Sequence, residues 1–268
     1  AFLSDIKAQI DRASVDATVT YVQGNSEPFR FTDEQTGLEL ETDAIRARME
    51  AAILSLSPGT EALQPKEISP NVYRAELENA TVLRARVVMP LSGSAAAQEN
   101  AALAAVQFQG ARIEPGESLS FNQTVGMRTE ESGYTAAEEP AYGQNIVGVG
   151  GGVCQVSTAL YRLALLGGLE IAERSAAVYP VDYCEIGQEA AVSDQGLDLV
   201  LTNNTDAPLF LVVRVYAEND GQTMEWQLIG KENESRFSLV SEVETIDAPE
   251  EPVYVRDSEG RYATYADE

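Results

Sequence analysis

Apolar residues along the chain recur at two spacings, and the change from one to the other marks out the elements. Phe2, Ile6 and Ile10 fall at helical spacing in "AFLSDIKAQIDRA", whereas "DATVTYV" alternates polar and apolar as a half-buried strand does. "GNSEP" breaks the chain before a second strand at "FRF". "ETDAIRARMEAAILSL" then places Ile45, Met49 and Ile53 on one helical face, with Thr42 as the predicted cap. Residues 1–72 thus read helix, strand, strand, helix, and the proline-bearing stretch "SPGTEALQPKEISP" puts a boundary within 57–75.

Beyond that boundary, residues 73–217 read as a larger mixed unit. "ATVLRARVVMP" predicts a strand, and "SAAAQENAALAAVQFQG" predicts a helix from its alanine content and the spacing of Leu103, Val106 and Phe108. "IEPGESLSFN" reads as a turn into a short strand, and a helix starting at Cys154 buries Val156, Leu160 and Leu163. "LDLVLTNNTDAPLFLVVRVY" predicts two antiparallel strands joined by a polar turn from Asn203 to Pro208. Residues 218–268 continue as strands, "TMEWQLIG", "SRFSLVSEV" and "PVYVRD", packed on the preceding unit. The fold class expected is α+β: a small N-terminal helix-strand module, then a larger domain whose antiparallel sheet packs on helices.

Charge narrows the partners. Eighteen Lys and Arg face 43 Asp and Glu, a formal net charge of −25, so nucleic acid is repelled rather than steered in. No run of about 18 apolar residues occurs, and the first residues read as the interior of a folded domain rather than a signal peptide, so membrane contact is expected only through an anchor outside these residues. Histidine is absent and only two cysteines are present, which removes the commonest general base and argues against a zinc site; no metal or cofactor is expected.

The chemistry concentrates in "GVGGGVCQVSTALYRLALLGGLEI". A cysteine at a helix start meets unpaired N–H groups and the positive end of the helix dipole, which favour thiolate over thiol. Glycines at 148, 150, 151 and 152 permit positive φ and close approach, and their amides, with that of Cys154, can form an oxyanion hole. Packing is the competing reading, because unpaired cysteines are often buried and glycine runs often mark only a turn. A disulfide from Cys154 to Cys184 would close a loop of about 30 residues. Cys184, in the strand-like "PVDYCEIG", reads as structural.

"RIEPGESLSFNQTVGMRTEESGY", the glycine-cysteine stretch through "EIAER", "YPVDY" and "LDLVLTNNTDAPLFLVV" together resemble the VanW family over roughly residues 80–215. The segment before them resembles the peptidoglycan-binding domain that often precedes a VanW domain. The resemblance implies an exported, extracytoplasmic protein of the cell wall or membrane-anchored cell surface. It further implies action on peptidoglycan stem peptides, with some members held to be L,D-transpeptidases working through an essential cysteine.

Cys154, the cysteine of the "GGGxCQ" motif, matches that catalytic position, with Gly151, Gly152 and the Cys154 amide at the oxyanion and Gln155 orienting substrate, donating to the same oxygen or serving as a first-turn helix residue. Arg128, Tyr134, Arg174 and Tyr183 are the candidate substrate-binding residues. The family pattern carries one or two histidines before its "YPVSYV"-like strand, where this chain has Ser175 and Ala177. The thiolate must then be held by Arg128, Arg162 or Arg174, or its proton taken by Asp182, Tyr183 or Glu189. Two further readings stay open: an envelope protein that binds stem peptides without catalysis, and a redox pair of Cys154 with Cys184.

Overall fold

The computed structural model describes residues 2–244 except 24–26, 58, 61, 142–143, 219–220 and 234. The chain runs α1 (Phe2–Ile10), β1 (Thr18–Tyr21), β2 (Phe29–Thr32), β3 (Gly37–Glu39), α2 (Thr42–Leu54), β4 (Lys66–Ile68), α3 (Arg74–Asn79) and β5 (Val82–Pro90). α4 (Ala95–Ala105), a 3₁₀ turn (Val106–Phe108), β6 (Arg112–Ile113), β7 (Ser118–Ser120), α5 (Phe121–Val125), β8 (Ala136–Ala141) and β9 (Gln144–Val149) follow. α6 (Cys154–Gly167), β10 (Glu170–Glu173), β11 (Val200–Thr202), β12 (Leu209–Glu218) and β13 (Gly221–Gly230) complete it. The fold is α+β, with every strand pair antiparallel among the described residues.

One strand shows how the halves join. β12 reads Leu-Phe-Leu-Val-Val, and because successive side chains leave a strand on opposite faces, Leu209, Leu211 and Val213 enter one core while Phe210 and Val212 enter another. The first core lies between the four-stranded sheet β5-β13-β12-β6 and the helices α4 and α6. Trp226 and Phe108 pack there with centroids 5.5 Å apart, and the predicted face of α6, Val156, Leu160 and Leu163, is buried in it. The second core joins Phe210, Val212 and Ile229 to Ala17, Val19 and Leu77, so the N-terminal module covers the outer face of the sheet at its β12 end. At the β5–β13 end that face stays polar: Arg86 pairs with Glu225 at 2.8 Å, and Gln227 donates to the same carboxylate.

Polar bonds lock the module on. Arg112 donates to the Val19 carbonyl at 3.2 Å while its guanidinium lies 5.7 Å over the Phe210 ring. Gln109 donates to the Tyr21 hydroxyl at 2.7 Å and accepts from the Val213 amide. α3, which starts at Arg74, shares the module's core through Leu77.

Four local expectations change. The stretch 200–217 is not a hairpin: β11 joins β10 and β7 in a three-stranded sheet, while β12 joins β6 and β13. Thr42 is the first residue of α2 rather than its cap, Glu41 standing in the cap position, and Ile45 is buried while Ile53 is exposed. α4 ends at Ala105, leaving Val106 exposed on the 3₁₀ turn and Phe108 fully buried. "SRFSLVSEV" is irregular rather than a strand, and "PVYVRD" lies outside the described residues. β13, beyond residue 218, sits inside the sheet between β5 and β12. No described helix is long and apolar enough to cross a membrane.

Phe210 anchors the module edge-on to Phe29, with centroids 5.2 Å apart. Phe210→Ala is expected to cost about 3–5 kcal/mol in denaturant unfolding. It should also speed amide hydrogen exchange in β1 and β2 more than in α6; equal protection in both would remove this contact as the anchor.

Candidate active site at the start of helix α6

The turn between β9 and α6 is shaped by contacts that only glycine allows. Gly150 (φ +85°) and Gly152 (φ +100°) occupy the left-handed region. A Cβ on Gly151 would stand 2.5 Å from the Ala137 carbonyl oxygen, and one on Gly152 would overlap the Ala97 carbonyl of α4. Buried Asn100 ties the turn down, donating to the carbonyls of Thr135 at 2.9 Å and Gly151 at 3.0 Å and accepting from the Thr135 amide. α6 therefore begins at Cys154 with its axis set by α4, without a side-chain cap and without an acidic residue in its first turn. The positive end of a 14-residue helix is thus presented at the half-buried thiol.

The first turn and a half of α6 then fixes the surroundings. The Cys154 Sγ lies 3.5 Å from the Val192 carbonyl oxygen. Ser157 donates to the Ala190 carbonyl at 2.6 Å, and Thr158 accepts from the Ala190 amide at 3.1 Å. On the other side Gln155, buried, accepts from the Ser92 amide at 2.8 Å and donates to the Ser92 carbonyl at 3.2 Å. Ser92 in turn donates through its hydroxyl to Asp182 at 3.2 Å.

Between these segments lies a cleft of about 790 Å³ onto which Cys154, Gly152, Gln155, Asp182 and Tyr183 all open. Tyr183 bonds to the Thr158 side chain, and burial, reinforced by the nearby Cys154 charge, pushes its hydroxyl well above the usual phenol range. It therefore stays protonated and can donate a hydrogen bond but not accept a proton.

Of the other sequence-derived residues, Gly151, Arg128, Arg174, Glu189, Tyr134 and Ser175 do not line the cleft. Gly151 packs beneath it, its own amide donating to Gly148 at 3.3 Å. Arg128 is buried, paired with Asp194 at 2.7 Å and bonded to Asn122, so its guanidinium serves the 122–128 and 194 loops rather than a ligand. Arg174 bonds the backbone and carboxylate of Glu189 and lies 5.1 Å over the Tyr161 ring. Glu189 is buried against it and does not line the cleft. Tyr134 belongs to the core, and burial raises its hydroxyl. Ala177 lines the cleft, while Ser175 pairs through its backbone with Ala191. Gln155 has its amide occupied by Ser92, so it positions that loop instead of reaching the oxyanion.

Cys184 lies on an irregular stretch rather than a strand. Both cysteines are thiols. Burial, with the nearby Glu189 carboxylate, pushes the Cys184 thiol up to about 11. Ser92, Glu138 and Val192 also line the cleft and carry no sequence signal of doing so, because each meets α6 only through the tertiary fold.

The domain is thus a helix-and-sheet scaffold that presents one cysteine at a helix start to an apolar cleft. Residues 96–227, from α4 to β13, match the family described as VanW like protein, and through this domain the chain belongs to the VanW family. It is 35% identical over 125 residues to a Bacillus subtilis (strain 168) protein named Uncharacterized protein YoaR, covering 47% of this chain and 41% of that one. It is 33% identical over 112 residues to the Vancomycin B-type resistance protein VanW of Enterococcus faecalis (strain ATCC 700802 / V583), covering 40% and 41%. The matched stretch thus spans about two fifths of the length of these relatives. No solved structure matches the chain.

A thiol that ionises near pH 11 is protonated, and so non-nucleophilic, at neutral pH. In a Cys154→Ser variant the remaining Cys184 should stay unmodified by iodoacetamide at pH 7.5, as read by intact mass. It should react only as the pH is raised toward 11. Rapid alkylation at neutral pH would contradict the buried setting of Cys184.

Proposed function

We propose that this protein acts at the bacterial cell envelope on peptidoglycan stem peptides as an L,D-transpeptidase with Cys154 as nucleophile. The observation that carries the reading is the placement of Cys154: a half-buried thiol at the start of α6, opening onto a peptide-sized apolar cleft. Family membership and a relative named for vancomycin resistance support the cell-wall setting. The N-terminal module, by its sequence pattern, is assigned to holding peptidoglycan.

The reaction is acyl transfer. The Cys154 thiolate attacks the carbonyl of the third residue of a donor stem, and the tetrahedral intermediate collapses by breaking the C–N bond to the terminal D-amino acid, which leaves as the protonated amine. An acceptor amine then attacks the thioester, loses a proton, and breaks the C–S bond to restore the thiolate. The helix start favours the thiolate, and in this reading Tyr183, protonated and lining the same cleft, donates to the negative charge as it moves. Of the three proton acceptors open from the sequence, Tyr183 stays protonated and Glu189 is turned to Arg174, which leaves Asp182, held in the cleft by Ser92.

A second reading, stem-peptide binding without catalysis, is favoured by the absence of histidine from the whole chain and by Ala177 in the cleft wall. Purified protein given tetrapeptide muropeptides separates the two. Catalysis predicts a covalent adduct at Cys154 by mass spectrometry and 3–3 crosslinks, both lost in Cys154→Ala. In Asp182→Asn, kcat should fall by roughly 10²–10⁴ with KM little changed. Binding with neither adduct nor crosslink would establish the second reading instead.

A further inference from the structure

The transpeptidase reading above, on which this inference rests, requires the cleft to take two substrates in turn. The donor brings a carbonyl to Cys154, and the acceptor brings a side-chain amine that is an ammonium at neutral pH. Two charged side chains line the cleft among the described residues, Asp182 and Glu138, and the fold holds them differently. Asp182 is tied to the Ser92 hydroxyl, and through the Ser92 backbone to Gln155 on α6. Glu138 comes from the β8–β9 hairpin and has no hydrogen-bond or ion-pair partner among the described residues.

Local structure puts Glu138 there. β8 lies across the glycine turn, where the Ala137 carbonyl is packed against Gly151. Ala137 is buried, and because successive side chains leave a strand on opposite faces, Glu138 is turned out to the cleft. Val147, its cross-strand partner, and Val149, opposite Ala136, are exposed on the same face. The hairpin thus sets a carboxylate beside apolar surface, which suits an ammonium carried on an alkyl stem. Elsewhere the wall is partly polar but uncharged, with Ser92, Ser94, Tyr179, Tyr183, Ser193 and Gln195 bringing hydroxyls and a carboxamide. Such groups can meet the donor's terminal carboxylate, and that anion departs with the D-amino acid before the acceptor reacts. The acylated cleft is then left with two negative side chains and no positive one, a field that draws in an ammonium.

We infer that Glu138 is the acceptor-binding residue, the side chain that brings the acceptor's ammonium to the acylated Cys154. The ammonium gives one proton to Asp182, and the free amine forms a C–N bond to the thioester carbonyl. The tetrahedral intermediate loses its second proton to water as the C–S bond breaks and the thiolate returns. Glu138 exchanges no proton and acts through its charge.

The test separates the two half-reactions. Protein is given a tetrapeptide donor whose lysine amine is acetylated, and the acyl-enzyme and the released D-amino acid are followed by mass spectrometry. The thioester then partitions between water and an added acceptor, either a lysine-bearing tripeptide, positively charged at pH 7.5, or hydroxylamine, which is mostly neutral there. In Glu138→Gln, acylation should keep its parent rate. Transfer to the lysine acceptor, relative to hydrolysis, should fall about fivefold, the size of one partly solvated charge contact, while transfer to hydroxylamine is unchanged. Glu131→Gln, exposed and outside the cleft, should behave as the parent. Unchanged transfer to the lysine acceptor in Glu138→Gln overturns the inference and leaves the transpeptidase reading standing. Equal loss with hydroxylamine, or slowed acylation, also overturns it, by giving Glu138 a structural or donor-side role. The same loss in Glu131→Gln overturns it by assigning the effect to total charge. Absence of any acyl-enzyme in the parent overturns the inference and the transpeptidase reading together.

Discussion

The site depends on how closely two backbones can approach at the head of α6. The glycine turn presses against the carbonyls of Ala97 and Ala137, distances that no side chain would permit, and this contact decides where the helix begins and which way its first turn faces. α4 meets it with a face of alanines, Ala97, Ala101, Ala104 and Ala105, so the helix is as thin as a helix can be where the turn lies on it. A bulkier α4 would push α6 outward and carry the thiol away from the 190–192 segment. The fold thus spends its smallest residues on bringing one cysteine into position.

From that fixed start, a single stretch of helix gathers walls from distant parts of the chain. Cys154, Ser157 and Thr158 grip the backbone at Ala190 and Val192, while Gln155 grips Ser92 from the opposite side. Asp182 and Tyr183 are then held by residues that α6 itself has placed, Ser92 and Thr158. The polar residues of the "CQVST" run are therefore structural and chemical at once. They satisfy backbone groups in the cleft wall and leave the thiol, one phenol and one carboxylate facing the space between.

What could be read from the sequence was whatever is encoded within a few residues. The buried face of α6 followed from the spacing of Val156, Leu160 and Leu163, and Cys154 from its glycines and its helix. Partners across the fold were not encoded so locally. Alternation marked β11 and β12 as strands but could not say that they belong to different sheets. The arginines were visible as charges, yet their carboxylate partners, Asp194 and Glu189, lie 66 and 15 residues away in sequence. The glycines were singled out for positive φ and close approach, but the carbonyl of Ala137 that packs against Gly151 comes from a strand that no local signal names.

The pairing of Gln155 with both backbone groups of Ser92 spans 63 residues. It joins the loop that leaves the edge strand β5 to the first turn of the central helix, so the two sides of the cleft are set only once sheet and helices have docked. In a nascent or unfolded chain Cys154 is an ordinary thiol without helix, neighbours or cleft. Those surroundings exist only where segments far apart in sequence have come together, so the exposure of this one sulfur reports on whether the whole domain is folded.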